Sequence, residues 1–194
     1  MPQSDDLSPV PVVFAADEVT AASTRKRPKP GERRVQILQA LATMLEQPGA
    51  ERVTTAALAA RLEVSEAALY RHFASKAQMF EGLIEFIEHT VFALLNQIVP
   101  PGDGAPAASA DTGVRQAGRV VGVLLQFAEK NPGMARVMVG DALVFENERL
   151  QQRMNQFFDR VESTLRQCLR AAAQSAGSDT PTMDAQVRAA VLTA

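Results

Sequence analysis

Residues 54–73 read TTAALAARLEVSEAALYRHF, and no other stretch constrains the fold as tightly: two runs of helical periodicity, each too short to bury a face alone, lie a few residues apart. Leu58 and Leu62 are four residues apart, as are Leu69 and Phe73, the spacing of one face of an α-helix. Thr54 or Thr55 can cap the first run and Ser65 the second, because a hydroxyl there accepts a bond from an otherwise unpaired early N–H. The first run is predicted to end at Glu63. Ala56, Ala59, Ala60, Ala67 and Ala68 offer small side chains for a close crossing, with Leu58, Leu62, Val64, Leu69 and Phe73 as the apolar wedge beneath. Spacing alone leaves two readings open: a plain helical hairpin with a solvated face, or a helix-turn-helix whose second helix enters the major groove of DNA.

Helical periodicity governs the flanks as well. Val35, Leu38, Leu41, Ala42 and Leu45 form one stripe of a first helix, which QPGA at 47–50 should stop. SKAQ at 75–78 is a capping box in which Ser75 accepts from the N–H of Gln78 while the Gln78 side chain reaches back to the N–H of Ser75. The long helix it opens should bury Met79, Phe80, Leu83, Ile84, Ile87, Val91, Leu94, Leu95 and Ile98, and PPGDGAPAASADTG at 100–113 should be a loop. Further helices are predicted over 114–130, 134–145, 146–173 and 182–194, the third with Leu150, Met154, Phe157, Phe158, Val161, Leu165 and Leu169 inward. No segment alternates with period two for long enough to make a strand. The fold class is therefore all-α, with roughly eight helices: a disordered tail over 1–30 with a basic end, a three-helix unit over 31–76 and a helical body over 77–194, which the family resemblance given below makes a DNA-binding domain and a regulatory and dimerisation domain.

Composition narrows the function. There are two histidines, His72 and His89, one cysteine, and no phosphate-binding glycine loop, nucleophile elbow or zinc-protease motif, so no catalytic residue, metal site or cofactor is expected. Cys168 falls on the inward side of a long helix and reads as a structural thiol. The early VPVVFAA is too short and wrongly flanked for a secretory signal, and no run approaches the roughly 18 apolar residues of a membrane span. A soluble, cytoplasmic protein is expected, and the resemblance given below adds association with the nucleoid. The net charge of −2 argues against a globally basic nucleic-acid binder, yet RKRPKPGERR at 25–34 holds six basic side chains against one Glu. A basic arm ahead of a groove-reading helix commonly follows the DNA backbone or minor groove.

With the wedge turned inward, the second helix of the pair presents Glu66, Ala67, Tyr70, Arg71 and His72 outward. Arg71 suits a guanine, Glu66 a cytosine amino group and the Ala67 methyl a thymine methyl. Tyr70, His72 and Lys76 suit phosphates, and so do Thr54, Thr55 and Ser65 at the helix starts.

These residues resemble a known family. The run TTAALAARLEVSEAALYRHFASKAQMF is similar to the DNA-binding domain of the TetR family, matching its pattern at Thr55, Leu58 or Leu62, Val64, Ser65, Leu69, Tyr70, His72, Phe73, Ser75 and Lys76. It departs at Glu63, where the family usually has Gly at a left-handed turn that costs another residue roughly 1 kcal/mol. Similarity to the nucleoid-occlusion branch of that family, the factors that keep the division ring off the chromosome, extends over residues 33–169 through LIEFIE, the NPGMARVMVGDALVFENERLQQRMNQFFDR segment and LRQCL. That resemblance implies a homodimer on a palindromic DNA site that contacts the tubulin-like division protein FtsZ when DNA-bound and antagonises its polymers. It also places the FtsZ-facing surface at Phe86, Val123, Gln126, Lys130 and Asn131, and it implies a dimer-forming helix pair that continues beyond Ala194. A ligand-responsive repressor of the same family is the alternative.

Overall fold

The computed structural model describes residues 31–47, 53–100 and 110–194. The expected tail over 1–30 with its basic residues, the Pro48 and Gly49 stop and residues 101–109 of the expected loop lie outside the described residues. Within them the chain is helical: α1 (Glu32–Leu45), α2 (Thr55–Arg61), α3 (Glu66–Tyr70), α4 (Lys76–Ile98), α5 (Ala110–Lys130), α6 (Pro132–Met138), a 3-10 turn (Asp141–Leu143), α7 (Glu148–Ser175) and α8 (Pro181–Thr193).

The first three helices pack together, with α1 also against α4 and α6, while α5 and α7 pack on α4 and on each other and α8 packs along α7. Helix α1 buries Ile37, Leu38, Leu41, Ala42 and Leu45. Val35, expected in that stripe, is 45% exposed, and Ile37 at 1% takes its place. The buried face is thus turned by part of a helical step, because α1 is covered on one flank by α2 and α4 and on the other by α6.

Helix α4 buries Met79, Phe80, Leu83, Ile84, Ile87, Val91, Leu95 and Ile98 as its periodicity predicts, with Leu94 only half-buried. Ser75 caps it by accepting from Gln78 N at 3.2 Å, but Gln78 Oε1 accepts from Ala74 N at 2.8 Å, one residue earlier than a reciprocal box requires. Helix α5 begins at Ala110, inside the stretch expected to be loop. Asp111 in its first turn pairs with Arg115 one turn on, and acidic charge is favoured at a helix N-terminus.

The helix expected over 134–145 is two pieces. Gly140 at φ 81 takes a left-handed conformation that ends α6, and the chain re-enters as the 3-10 turn. Helix α7 supplies the longest buried stripe, Leu150, Met154, Phe157, Val161, Leu165, Cys168 and Leu169, while Phe158 is half-buried and meets Phe157 edge-on at 5.1 Å. It is tied to α4 through Arg153, whose guanidinium donates twice to the Glu88 carboxylate, at 2.7 and 3.2 Å. Helix α8 runs along α7 and buries Ala185 and Ala189 against it.

Candidate nucleic-acid interface

Two short helices and the turn between them are assembled almost wholly from bonds within a few residues. Thr54 stands in extended backbone and its side chain accepts from Ala57 N at 3.1 Å, starting α2. Helix α2 ends at Arg61 rather than Glu63. Val64 N donates to Ala59 O at 3.0 Å and Glu63 N to Ala60 O at 3.1 Å, the paired bonds of a Schellman close. That motif needs a left-handed residue, and Glu63 takes it at φ 53, the one non-glycine with positive φ among the described residues. Ser65 then starts α3 by accepting from Ala68 N at 3.3 Å.

Burial decides which alanines matter. Ala59 is buried and Ala68 half-buried at the crossing, whereas Ala56, Ala60 and Ala67 are exposed. Leu58, Leu69 and Phe73 are each 1% exposed and hold the pair to the core, with Leu62 and Val64 packed at its edge. What faces outward is Ser65, Glu66, Ala67, Tyr70 and Arg71, with Tyr70 45% exposed and His72 half-buried. A row of one acid, one methyl, one phenol and one guanidinium on a braced helix is chemically suited to base edges and phosphates.

Two side chains expected to meet phosphates, Thr55 and Lys76, and the backbone of a third such residue, His72, have partners inside the protein. The Thr55 hydroxyl donates to Glu66 Oε2 at 2.6 Å, linking the first residue of α2 to the first residue of α3. Lys76 is ion-paired with Glu146, just after the 3-10 turn, with the ammonium 5.7 Å from the Phe80 ring centroid. Its side chain is 30% exposed, so its charge is directed at the C-terminal body. His72 is engaged through its carbonyl, which accepts from Arg34 Nη1 at 2.6 Å, and the same guanidinium lies 4.2 Å over the Phe73 ring. Arg34 closes the basic run but falls inside the unit expected from residue 31, and it clamps the end of α3 to α1. No local pattern signals this, since the partners are 38 residues apart.

The second candidate surface, where α4 and α5 pack, needs one correction. Val123, Gln126 and Lys130 fall on one face of α5 at spacings of three and four, and all three are half-buried, as is Phe86 on α4. Phe86 and Val123 rest on the core. Asn131 is 6% exposed, and its Nδ2 donates to Phe127 O at 2.9 Å, so it closes the end of α5 from within and is not a surface contact. A buried amide must have such a partner.

Helix α6 packs on both α1 and α5. Its Gly133 backbone passes so close to α1 that a Cβ there would stand 2.0 Å from Ala42 O. Arg136 Nη1 donates to Leu45 O at 3.0 Å and Gln47 O at 3.4 Å, satisfying the open carbonyls at the end of α1, while its Nε donates to Asp141 at 2.6 Å. Cys168 is buried on α7, and loss of solvation pushes its thiol pKa up, which keeps it protonated and unreactive. No described helix is long and apolar enough to cross a membrane.

Residues 37–83 match the family model described as bacterial regulatory proteins, tetR family. Residues 111–194 match the SlmA-like model described as tetracyclin repressor-like, C-terminal domain. Among characterised proteins, the chain is 52% identical over 154 residues to the nucleoid occlusion factor SlmA of Vibrio vulnificus, covering 79% of this chain and 74% of that one. It is 49% identical over 166 residues to the SlmA of Aliivibrio fischeri, covering 85% and 80%. Among solved structures, a putative TetR-family transcriptional regulator from Mesorhizobium loti superposes with a TM-score of 0.56 at 17% identity, covering 81% of this chain and 78% of that one, which establishes the shared fold.

Proposed function

The chain belongs to the TetR family of bacterial regulatory proteins and, within it, to the nucleoid occlusion factors SlmA, and from that premise we propose that it binds a palindromic DNA site as a homodimer and, so bound, holds FtsZ away from the nucleoid. It is a DNA-binding regulator and not an enzyme. The DNA-binding unit spans 31–76 and the regulatory and dimerisation unit 77–194. The observation that carries the DNA half of the reading is the exposed Tyr70 and Arg71 face of a helix braced by buried Leu58, Leu69 and Phe73. Arg71 reads a base in the major groove, Ala67 meets an apolar edge, and Tyr70 with the starts of α2 and α3 holds the backbone.

Support for the division half lies outside the helix-turn-helix: the identity of about half is measured over 154 and 166 residues, far more than a shared DNA-binding unit alone would span. Phe86, Val123, Gln126 and Lys130 form a half-buried apolar face with a cation at its end, which fits a short, partly acidic peptide segment. Asn131 contributes by fixing the end of α5 that presents Lys130. Met183, Val187 and Val191 recur every four residues on the exposed face of α8, and a second copy of the chain is the occupant suited to cover them.

The test is sedimentation of FtsZ polymers with this protein, with and without a duplex selected by it from a random pool. Loss of polymer that depends on the duplex is the expected result, and polymer unaffected in both arms would falsify the division half. Sequence-selective binding without any effect on FtsZ would favour a repressor. In the same binding assay Arg71→Ala should flatten preference at one base pair per half-site, at a cost of about 1–3 kcal/mol.

A further inference from the structure

The two helix starts of the DNA-binding unit carry four polar side chains, and their bonds divide them into two kinds. Thr54 and Ser65 each accept from a backbone N–H of their own helix, at 3.1 and 3.3 Å. Thr55 and Glu66 instead bond one another at 2.6 Å, across 11 residues of sequence and across the helix crossing. A threonine hydroxyl has one proton. With that proton given to Glu66 Oε2, Thr55 has none to give a phosphate oxygen, so its side chain offers DNA only lone pairs.

The same bond changes what Glu66 can do. A free glutamate at the start of an exposed helix samples several rotamers, and ordering it in the groove costs conformational entropy. Bonded to Thr55, one carboxylate oxygen is held, and Glu66 stays exposed on the helix that also exposes Ala67, Tyr70 and Arg71. A carboxylate is acceptor-only, so near a phosphate backbone it is tolerated only where a donor meets it. In the major groove the donors are exocyclic amino groups, whereas guanine and thymine present their carbonyl oxygens there and repel it.

We propose that Thr55 is a positioning residue for specificity: it orients Glu66 so that α3 accepts from a cytosine amino group and rejects guanine and thymine at one position of each half-site. This rests on the reading of α3 as the groove-facing helix. Thr55 acts through Glu66 and not on the DNA backbone, in contrast to the phosphate role that its place at a helix start suggests.

The experiment takes the duplex selected by the full chain from a random pool and measures binding to a panel with each base pair of one half-site replaced in turn. The unaltered protein should discriminate against the wrong bases at the Glu66 position by about 5- to 150-fold. Thr55→Val, which keeps the shape and removes the proton, should lose most of that discrimination at that position alone, with the salt dependence unchanged. Thr55→Ser should retain it, and Glu66→Ala should erase it at the same position. Two results overturn the proposal. Thr55→Val could weaken all duplexes alike and reduce the salt slope by about one, which marks a phosphate donor. It could also leave every preference as it was. Circular dichroism of each variant separates misfolding from either result, with Thr55→Ser as the folded control. A pool that yields no preferred sequence would overturn the groove-facing reading together with this one, whereas a defined site with Thr55-independent preferences overturns this one alone.

Discussion

The α2–α3 pair and the segment from Asn131 to Glu146 are built alike and held differently. Each consists of a short helix, a left-handed residue and a second short helical piece, with Glu63 at φ 53 in one and Gly140 at φ 81 in the other. In the first, the caps at Thr54 and Ser65 and both bonds of the turn close within five residues. In the second, the bonds that matter reach far: Arg136 to Leu45 O across 91 residues and Lys76 to Glu146 across 70. The difference follows from position. The α2–α3 pair presents one whole face to the outside and must keep its shape without neighbours there. The 131–146 segment lies between α1 and the C-terminal body, and its purpose is to be bonded on both sides.

The contrast can be broken most severely at Gly133. A methyl there would stand 2.0 Å from the Ala42 carbonyl oxygen, and two helix backbones must part to admit it. Gly133→Ala should lower the unfolding free energy by about 3 kcal/mol, the upper part of the overpacking range. The readout is the urea midpoint, and a midpoint equal to that of the unaltered chain would show the α1–α6 contact to be slack.

A smaller effect is expected at the ion pair. Lys76→Met and Glu146→Gln should each lower stability by about 1 kcal/mol, since the lysine is partly solvated. The double variant should cost little more than either single one, which is the signature of a shared interaction. Salt dependence of DNA binding should stay as it was for Lys76→Met. A slope reduced by about one would instead place the ammonium on a phosphate.

The smallest effect, and one of opposite sign, belongs to the turn. Glu63→Gly removes a left-handed strain of about 1–2 kcal/mol and adds unfolded-chain entropy worth about 0.4–1 kcal/mol against it. The net gain should be near 0.5 kcal/mol in the urea midpoint, with DNA preference unchanged. Destabilisation by this change would mean that the Glu63 side chain has a partner in the folded state that outweighs the strain.

The candidate DNA-binding residues were legible in the sequence as positions but not as roles. Ser65, Glu66, Ala67, Tyr70 and Arg71 follow from helical spacing once Leu69 and Phe73 are turned inward, and Glu63 stands out only beside the family pattern, which has Gly there. That Thr55 serves Glu66, Lys76 serves Glu146 and Arg34 serves the end of α3 cannot be seen along the chain, because each partner lies 11 to 70 residues away. Asn131 shows the same limit on the other surface: the resemblance puts it on a partner-facing surface, and only the packing of α5 and α6 shows it buried.

By itself the sequence determined most of the helices and the serine and threonine caps that start them, and the family resemblance added the left-handed turn at residue 63. These depend on backbone bonds and side-chain periodicity that span at most a helical turn or two. Only the tertiary structure decided which polar groups remain to meet a partner and which are already taken. A hydroxyl, an ammonium or a guanidinium satisfies whichever acceptor packing brings within reach, and in this protein packing gave Thr55, Lys76 and Arg34 partners within the chain and left Tyr70 and Arg71 facing out.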